Sequence, residues 1–203
     1  MSTSEPAVKE RILSSAKKLF ARHGYDGTTV RRICEEAGVN LALVSYHFGG
    51  KEQLFQSLFT GFPPKDKLAE LETRMDDPVE GLRFFVREFV LFRSADPDML
   101  TILHQEIQQA TPRVPYIRER MAPFWSRLHH LLALGRERGV FRIESVDTTF
   151  LFLLGVVLSY QLTDYFAPIF GEEPLSPGEM AAATNQFVFR ALGIPEPAEE
   201  TSE

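Results

Sequence analysis

Residues 38–52 read GVNLALVSYHFGGKE. Gly38 stops one helical pattern, Asn40 is placed to cap the next, and Gly49-Gly50 end it after about two turns. An isolated helix of that length is marginal in water, so packing against neighbours must hold it. Val39, Val44 and Phe48 are placed to close a core behind it. Leu41, Ala42, Leu43, Ser45 and Tyr46 cannot all face inward on so short an element, so the sequence predicts a helix that leaves apolar side chains in solvent.

The neighbours lie just upstream. Val8, Ile12, Leu13, Ala16, Leu19 and Phe20 recur at steps of three and four, with Lys9, Arg11, Lys17, Lys18 and Arg22 off that face, and His23-Gly24-Tyr25 ends the helix. Thr28 or Thr29 can cap a second helix whose apolar face is Val30, Ile33, Cys34 and Ala37. Three helices of these lengths, the last two joined by a tight glycine turn, predict a helix-turn-helix. On the outer face of such a third helix, apolar groups suit the C5-methyl of thymine, and a tyrosine can meet sugar or methyl groups while its hydroxyl bonds to phosphate. That face carries no arginine, and the amide of Asn40 serves as a cap, so methyl contacts and DNA shape are expected to matter more than a guanine-reading fork.

Charge agrees with this division. Residues 1–51 hold eight Lys/Arg against five Asp/Glu, a net +3, whereas residues 52–203 hold 14 against 23, a net −9. A polyanion is attracted to the first part and repelled by the second. The apolar content of 44% and charged content of 25% exclude a disordered chain. One cysteine, Cys34, excludes an internal disulfide framework and falls on a core face. No cationic head precedes an apolar run at the N-terminus, and the most apolar stretch, FLFLLGVVL at 150–158, is nine residues long, well short of a bilayer span. A cytoplasmic protein without a membrane partner is expected.

Beyond residue 51 the pattern stays helical: 51–59, 65–75, from Pro78 to about Arg93, from Asp96-Pro97 to about Ala110, a long helix ending near Gly139 whose start Pro112, Pro115 and Pro123 bracket, 146–167, and 177–192. The fold class is therefore all-α, about nine or ten helices. A helix-turn-helix DNA-binding domain is expected over residues 1–50, a helical ligand-binding and dimerisation domain over 51–194, and a frayed acidic tail over 195–203. Fifteen of the seventeen phenylalanines follow residue 51, enough either to fill a helical core or to wall an apolar cavity.

The stretch Thr28–Leu54, TTVRRICEEAGVNLALVSYHFGGKEQL, resembles the DNA-binding end of the TetR family of transcriptional regulators. The Thr-Thr opening, the Ala-Gly-Val turn and Tyr-His-Phe followed by Lys-Glu occur in the family's order and spacing. The resemblance implies that Thr28 and Lys51 meet phosphates, that His47 touches phosphate, and that Asn40, Leu41, Ala42, Leu43 and Tyr46 meet base edges. Ala42 stands where the family often has glycine. Ser45 stands where it often has tyrosine, and so offers a shorter hydroxyl contact. The last two long helices resemble the family's four-helix dimer interface, with Phe150, Leu154, Gly155, Val157, Leu158, Gln161 and Leu162 on one and Thr184, Phe187, Val188 and Ala191 on the other. In the middle helices His104, Glu106, Trp125, His129, Tyr160 and Phe166 mix aromatic surface with polar handles, a composition suited to a small organic ligand.

These features describe a homodimeric, ligand-responsive transcriptional regulator, a repressor of a palindromic double-stranded operator that a ligand releases. An activator of the same fold and a helical adaptor without specific DNA binding are the alternatives. The sequence holds no glycine-rich nucleotide loop after a strand, no HExxH, no GxSxG and no paired cysteines, so no enzyme is expected. His129-His130 point about 100° apart on a helix, so neither a metal nor a cofactor is expected.

Overall fold

The computed structural model describes residues 5–194; the acidic tail at 195–203 lies outside the described residues. Among the described residues the fold is all-helical, with ten helices of eight residues or more: α1 Glu5–His23, α2 Val30–Ala37, α3 Leu41–Phe48, α4 Lys51–Leu58, α5 Lys65–Glu72, α6 Pro78–Ala95, α7 Pro97–Gln108, α8 Val114–Glu137, α9 Val146–Leu158 and α10 Pro177–Ala191. Short polar side chains start several of them. Asp96 accepts from the Met99 amide ahead of α7, Ser145 from Thr148 ahead of α9, and Ser176 with Glu179 forms a capping box on α10.

Two expectations shift. The apolar helix expected over 146–167 ends at Leu158, and single turns at Ser159–Leu162, Thr163–Phe166 and Ala167–Ile169 follow it. The apolar run gives way there to Ser159, Gln161, Thr163 and Asp164, and Pro168 cannot continue a helix. Pro123, expected to bracket the start of α8, lies inside that helix.

The chain divides into two compact units. The first comprises the residues up to Lys65 together with Asp96–Ala122, and the second Asp66–Ala95 together with the residues from Pro123 on. Twelve Lys/Arg face ten Asp/Glu in the first, a net +2, and ten face eighteen in the second, a net −8.

In the first unit Ile12, Ala16 and Phe20 of α1, Ile33 of α2, Val44 of α3, Leu54 and Phe55 of α4, and Leu100 and Ile102 of α7 are buried. Lys17 pairs with Asp96 at 2.5 Å and the Gln105 amide donates to the Ala21 carbonyl at 2.9 Å, fastening α1 to α7. Cys34 is buried, and that burial pushes its thiol pKa up, so it behaves as a small core residue. The core of the second unit joins Leu82, Phe85, Val86 and Val90 of α6, Leu128, Leu131 and Leu132 of α8, and Ala181, Val188 and Phe189 of α10. No helix among the described residues is long and apolar enough to cross a membrane.

Gly135 lets the chain after α8 fold back. A Cβ placed there would fall 2.0 Å from a ring carbon of Phe141, whose side chain is 2% exposed. Alanine is favoured over glycine inside a helix by about 1 kcal/mol. Overpacking a core costs about 1–3 kcal/mol, so the clash outweighs the propensity. Gly135→Ala is expected to lower the urea midpoint without changing the slope of the transition; an unchanged or raised midpoint would contradict the close approach.

Candidate nucleic-acid interface

The third helix is held in place by its ends and its back. Asn40 is the N-cap, its Oδ1 accepting from the Ala42 amide at 2.9 Å, and Gly49 closes the C-terminus at φ 81°, a left-handed conformation that favours glycine. Val44 and Phe48 are buried. Leu41 (54% exposed), Ala42, Ser45 and Tyr46 (74% exposed) form one solvent-facing stripe, with Leu43 half-buried beside it. The helix therefore presents apolar groups and one phenol outward, as its length required.

Several expected contacts are rearranged. Thr28 is buried, and its hydroxyl donates to the carbonyls of Gly24 at 2.8 Å and Leu19 at 3.1 Å. A hydroxyl so engaged is not a phosphate donor, and the assignment of Thr28 to DNA is corrected on that ground. The exposed hydroxyl of this turn belongs to Thr29, which caps α2 by accepting from the Arg32 amide at 3.2 Å. His47 is also less available than expected. Its side chain is 7% exposed, with Nδ1 3.9 Å from the Glu5 carboxylate, so little of the ring is left for a phosphate. Lys9, an off-face cation of α1 that spacing alone did not single out, lines a shallow pocket with Glu5, Pro6, Tyr46 and His47.

Lys51 begins α4 and is half-buried, its ammonium 4.0 Å from the centre of the Tyr25 ring. Burial pushes its pKa down, the Asp26 carboxylate pushes it up, and the Arg113 guanidinium pushes it down. Arg31 pairs with Glu35 at 2.9 Å, and Arg32 lies 3.0 Å from His23 Nε2, so both arginines of α2 have protein partners on the surface.

The residues assigned to a ligand are not one cluster within either unit. His104 is exposed on α7 in the first unit. Glu106 is buried and takes the Arg113 guanidinium at 2.9 and 3.1 Å together with the Thr111 hydroxyl. A buried carboxylate needs such partners, so Glu106 is an internal ion pair and its ligand assignment is corrected. In the second unit Trp125 is half-buried among Phe85, Phe89, Phe124 and Phe150. His129 is exposed, its Nε2 2.7 Å from Asp147. Phe166 lines a groove of about 950 Å³ with Arg93, Leu162, Ile169, Leu175 and Phe187. The side chains of Tyr160 and Gln161 lie outside the described part of the structure.

The face assigned to dimerisation divides as well. Val157, Thr184 and Val188 are buried inside their own unit and are corrected to core residues. Phe150, Leu154 and Leu158 are half-buried, while Gly155, Leu162, Phe187 and Ala191 are exposed. Leu151 and Phe152, 65% and 70% exposed, are the outward apolar residues of α9 that periodicity missed.

Comparison with known proteins bears on this geometry. A family model described as bacterial regulatory proteins, tetR family, matches residues 12–58, and one described as tetracyclin repressor-like, C-terminal domain, matches residues 78–190. The chain is 29% identical over 156 residues to the HTH-type transcriptional repressor SCO4008 of Streptomyces coelicolor, covering 76% of this chain and 78% of that one. Among solved structures it is similar to HlyIIR, a hemolysin II transcriptional regulator, with a TM-score of 0.72 at 27% identity, covering 89% of this chain and 98% of that one. It is also similar to PfmR of Thermus thermophilus, with a TM-score of 0.66 at 28% identity, covering 90% and 98%.

Thr28→Val is expected to lower stability by about 1–3 kcal/mol, the range for leaving buried carbonyl partners unsatisfied. Thr28→Ser should restore most of it. Urea melts read both, and a Thr28→Val protein as stable as the parent would remove the internal role given to this hydroxyl.

Proposed function

This chain belongs to the TetR family of transcriptional regulators, and we propose that it is a homodimeric repressor that holds a palindromic operator through α3 of each copy and releases it when a small organic ligand enters the C-terminal domain. Residues 1–50 are the DNA-binding domain and residues 51–194 the ligand-binding and dimerisation domain. The observation that carries this function is the stripe of Leu41, Ala42, Ser45 and Tyr46, left in solvent on a helix braced by Val44 and Phe48. A stripe of that width fits a major groove and presents methyl and methylene groups to thymine, while Tyr46 reaches sugar or phosphate. Lys51 and the exposed Thr29 with the N-terminus of α2 flank it as phosphate contacts.

Two copies are needed because one short helix reads few base pairs. Leu151, Phe152 and Gly155 on α9 and Phe187 and Ala191 on α10 support a self-association surface, since apolar groups of this size rarely stand exposed in such number without a partner. The groove beside Phe166 supports a ligand that is largely apolar. Repression as the sense of the signal is supported by the name of the Streptomyces coelicolor relative. A ligand can release DNA only through a difference in affinity between the two states of the dimer.

Selection of bound duplexes from a random pool, followed by footprinting, tests the function. The expected product is a palindrome with half-sites one helical turn or a multiple of it apart. A pool that shows no enrichment would refute specific DNA binding. Leu151→Glu combined with Phe152→Glu is expected to sediment as a folded monomer and to lose about a hundredfold or more in operator affinity, because the second half-site is no longer tethered. Sedimentation as a dimer would place the interface elsewhere.

A further inference from the structure

We infer that Arg113, in the turn between α7 and α8, is a positioning residue for DNA binding: it fixes the ring of Tyr25, and that ring holds the ammonium of Lys51 at the start of α4. The inference rests on the operator-binding function proposed above and adds to it a residue that no DNA contact reveals.

The geometry is continuous within the first unit. The centre of the Tyr25 ring lies 4.0 Å from Lys51 Nζ and 3.9 Å from Arg113 Cζ, so one ring carries two cations. Tyr25 stacks on Phe20 at 5.6 Å and meets Phe55 edge-on at 5.2 Å, and Arg113 lies 5.6 Å from the same Phe55 ring. Arg113 is itself clamped. Its Nε and Nη2 donate to the two carboxylate oxygens of Glu106 at 2.9 and 3.1 Å, and the buried Glu106 also accepts from the Thr111 hydroxyl. The turn that presents Arg113 is tied down by the Thr111 amide on the Glu106 carbonyl at 3.2 Å and contains Ala110 at φ 47°. An alanine held in the left-handed region is set there by its surroundings. One turn further on, the Tyr116 hydroxyl donates to the Gln56 carbonyl of α4 at 3.1 Å, a second tie between the start of α8 and the helix that Lys51 begins.

Lysine carries a long stem with many rotamers, and a phosphate contact must overcome their loss. An aromatic face that already confines the ammonium removes part of that cost. The ring does so only if it is itself fixed, and the bidentate Glu106–Arg113 pair supplies a rigid, planar partner that a lysine in its place would not reproduce fully.

The test measures binding to a random-sequence duplex and to the selected operator duplex over a salt series, for the parent protein, Lys51→Ala, Arg113→Met, Arg113→Lys and the Lys51→Ala/Arg113→Met double variant. Loss of one phosphate contact lowers the slope of log affinity against log salt by about one, and Lys51→Ala is expected to do this on both duplexes. Arg113→Met, which keeps apolar contact with the rings, is expected to lower the slope to the same extent, the double variant no further, and Arg113→Lys to recover part. Parental slope and affinity in Arg113→Met, tighter binding, or effects that add in the double variant would overturn the inference while leaving the proposed function standing. A parent protein that binds neither duplex would overturn both. Thermal melts accompany each variant. Should Arg113→Met fail to fold, Glu106→Gln carries the test by removing the ion pair that clamps the guanidinium over Tyr25: a reduced slope supports the role and the parental slope refutes it.

Discussion

A helix of eight residues cannot stand alone in water, and which side chains the first unit exposes on α3 follows from how that helix is held. Val44 and Phe48 enter the core formed by α1, α2 and α4, Asn40 satisfies the first free amides, and Gly49 turns the chain away at the other end. Once those groups are fixed, the phase of the helix is fixed too. Leu41, Ala42, Ser45 and Tyr46 then face outward by geometry, although Leu41 and Ala42 gain nothing from water. The fold thus keeps apolar groups in solvent, a cost that makes sense where a partner surface is to cover them.

This part of the molecule was legible because each helix is punctuated. Glycines at 24, 38 and 49 and hydroxyl or amide residues at 29 and 40 mark ends whose chemistry does not depend on distant contacts. Thr28 and Thr29 could not be told apart in the same way. Which of the two neighbours points inward depends on the path of residues 24–27, and the Thr28 hydroxyl reaches back to carbonyls nine and four residues earlier. The stretch FLFLLGVVL gave no phase at all. With no polar residue to mark one side, a ridge through Phe150, Leu154 and Val157 is as regular as one through Leu151, Phe152 and Gly155, and the structure turns the second outward. By residue type alone Glu106 is a polar handle among aromatics. Its partner Arg113 lies across a turn, beyond the reach of helical spacing.

The first unit also shows that the helix-turn-helix is not a free-standing module here. Its hydrophobic core is shared with α7, and Lys17–Asp96 and Gln105–Ala21 bind the two together at points far apart in sequence. The two family models meet the chain at 12–58 and 78–190, whereas the compact unit gathers residues up to 65 with 96–122. A boundary drawn along the sequence and a boundary drawn through the packing answer different questions. The segment of α7 and the beginning of α8 belongs by sequence to the stretch the C-terminal family model matches and by packing to the unit that carries α3.

Charge is divided between the units in a way that governs how each meets a polyanion. The unit that carries α3 has a net charge of +2 and the other −8. A polyanion is therefore attracted to the first of these and repelled by the second, and added salt weakens both effects together.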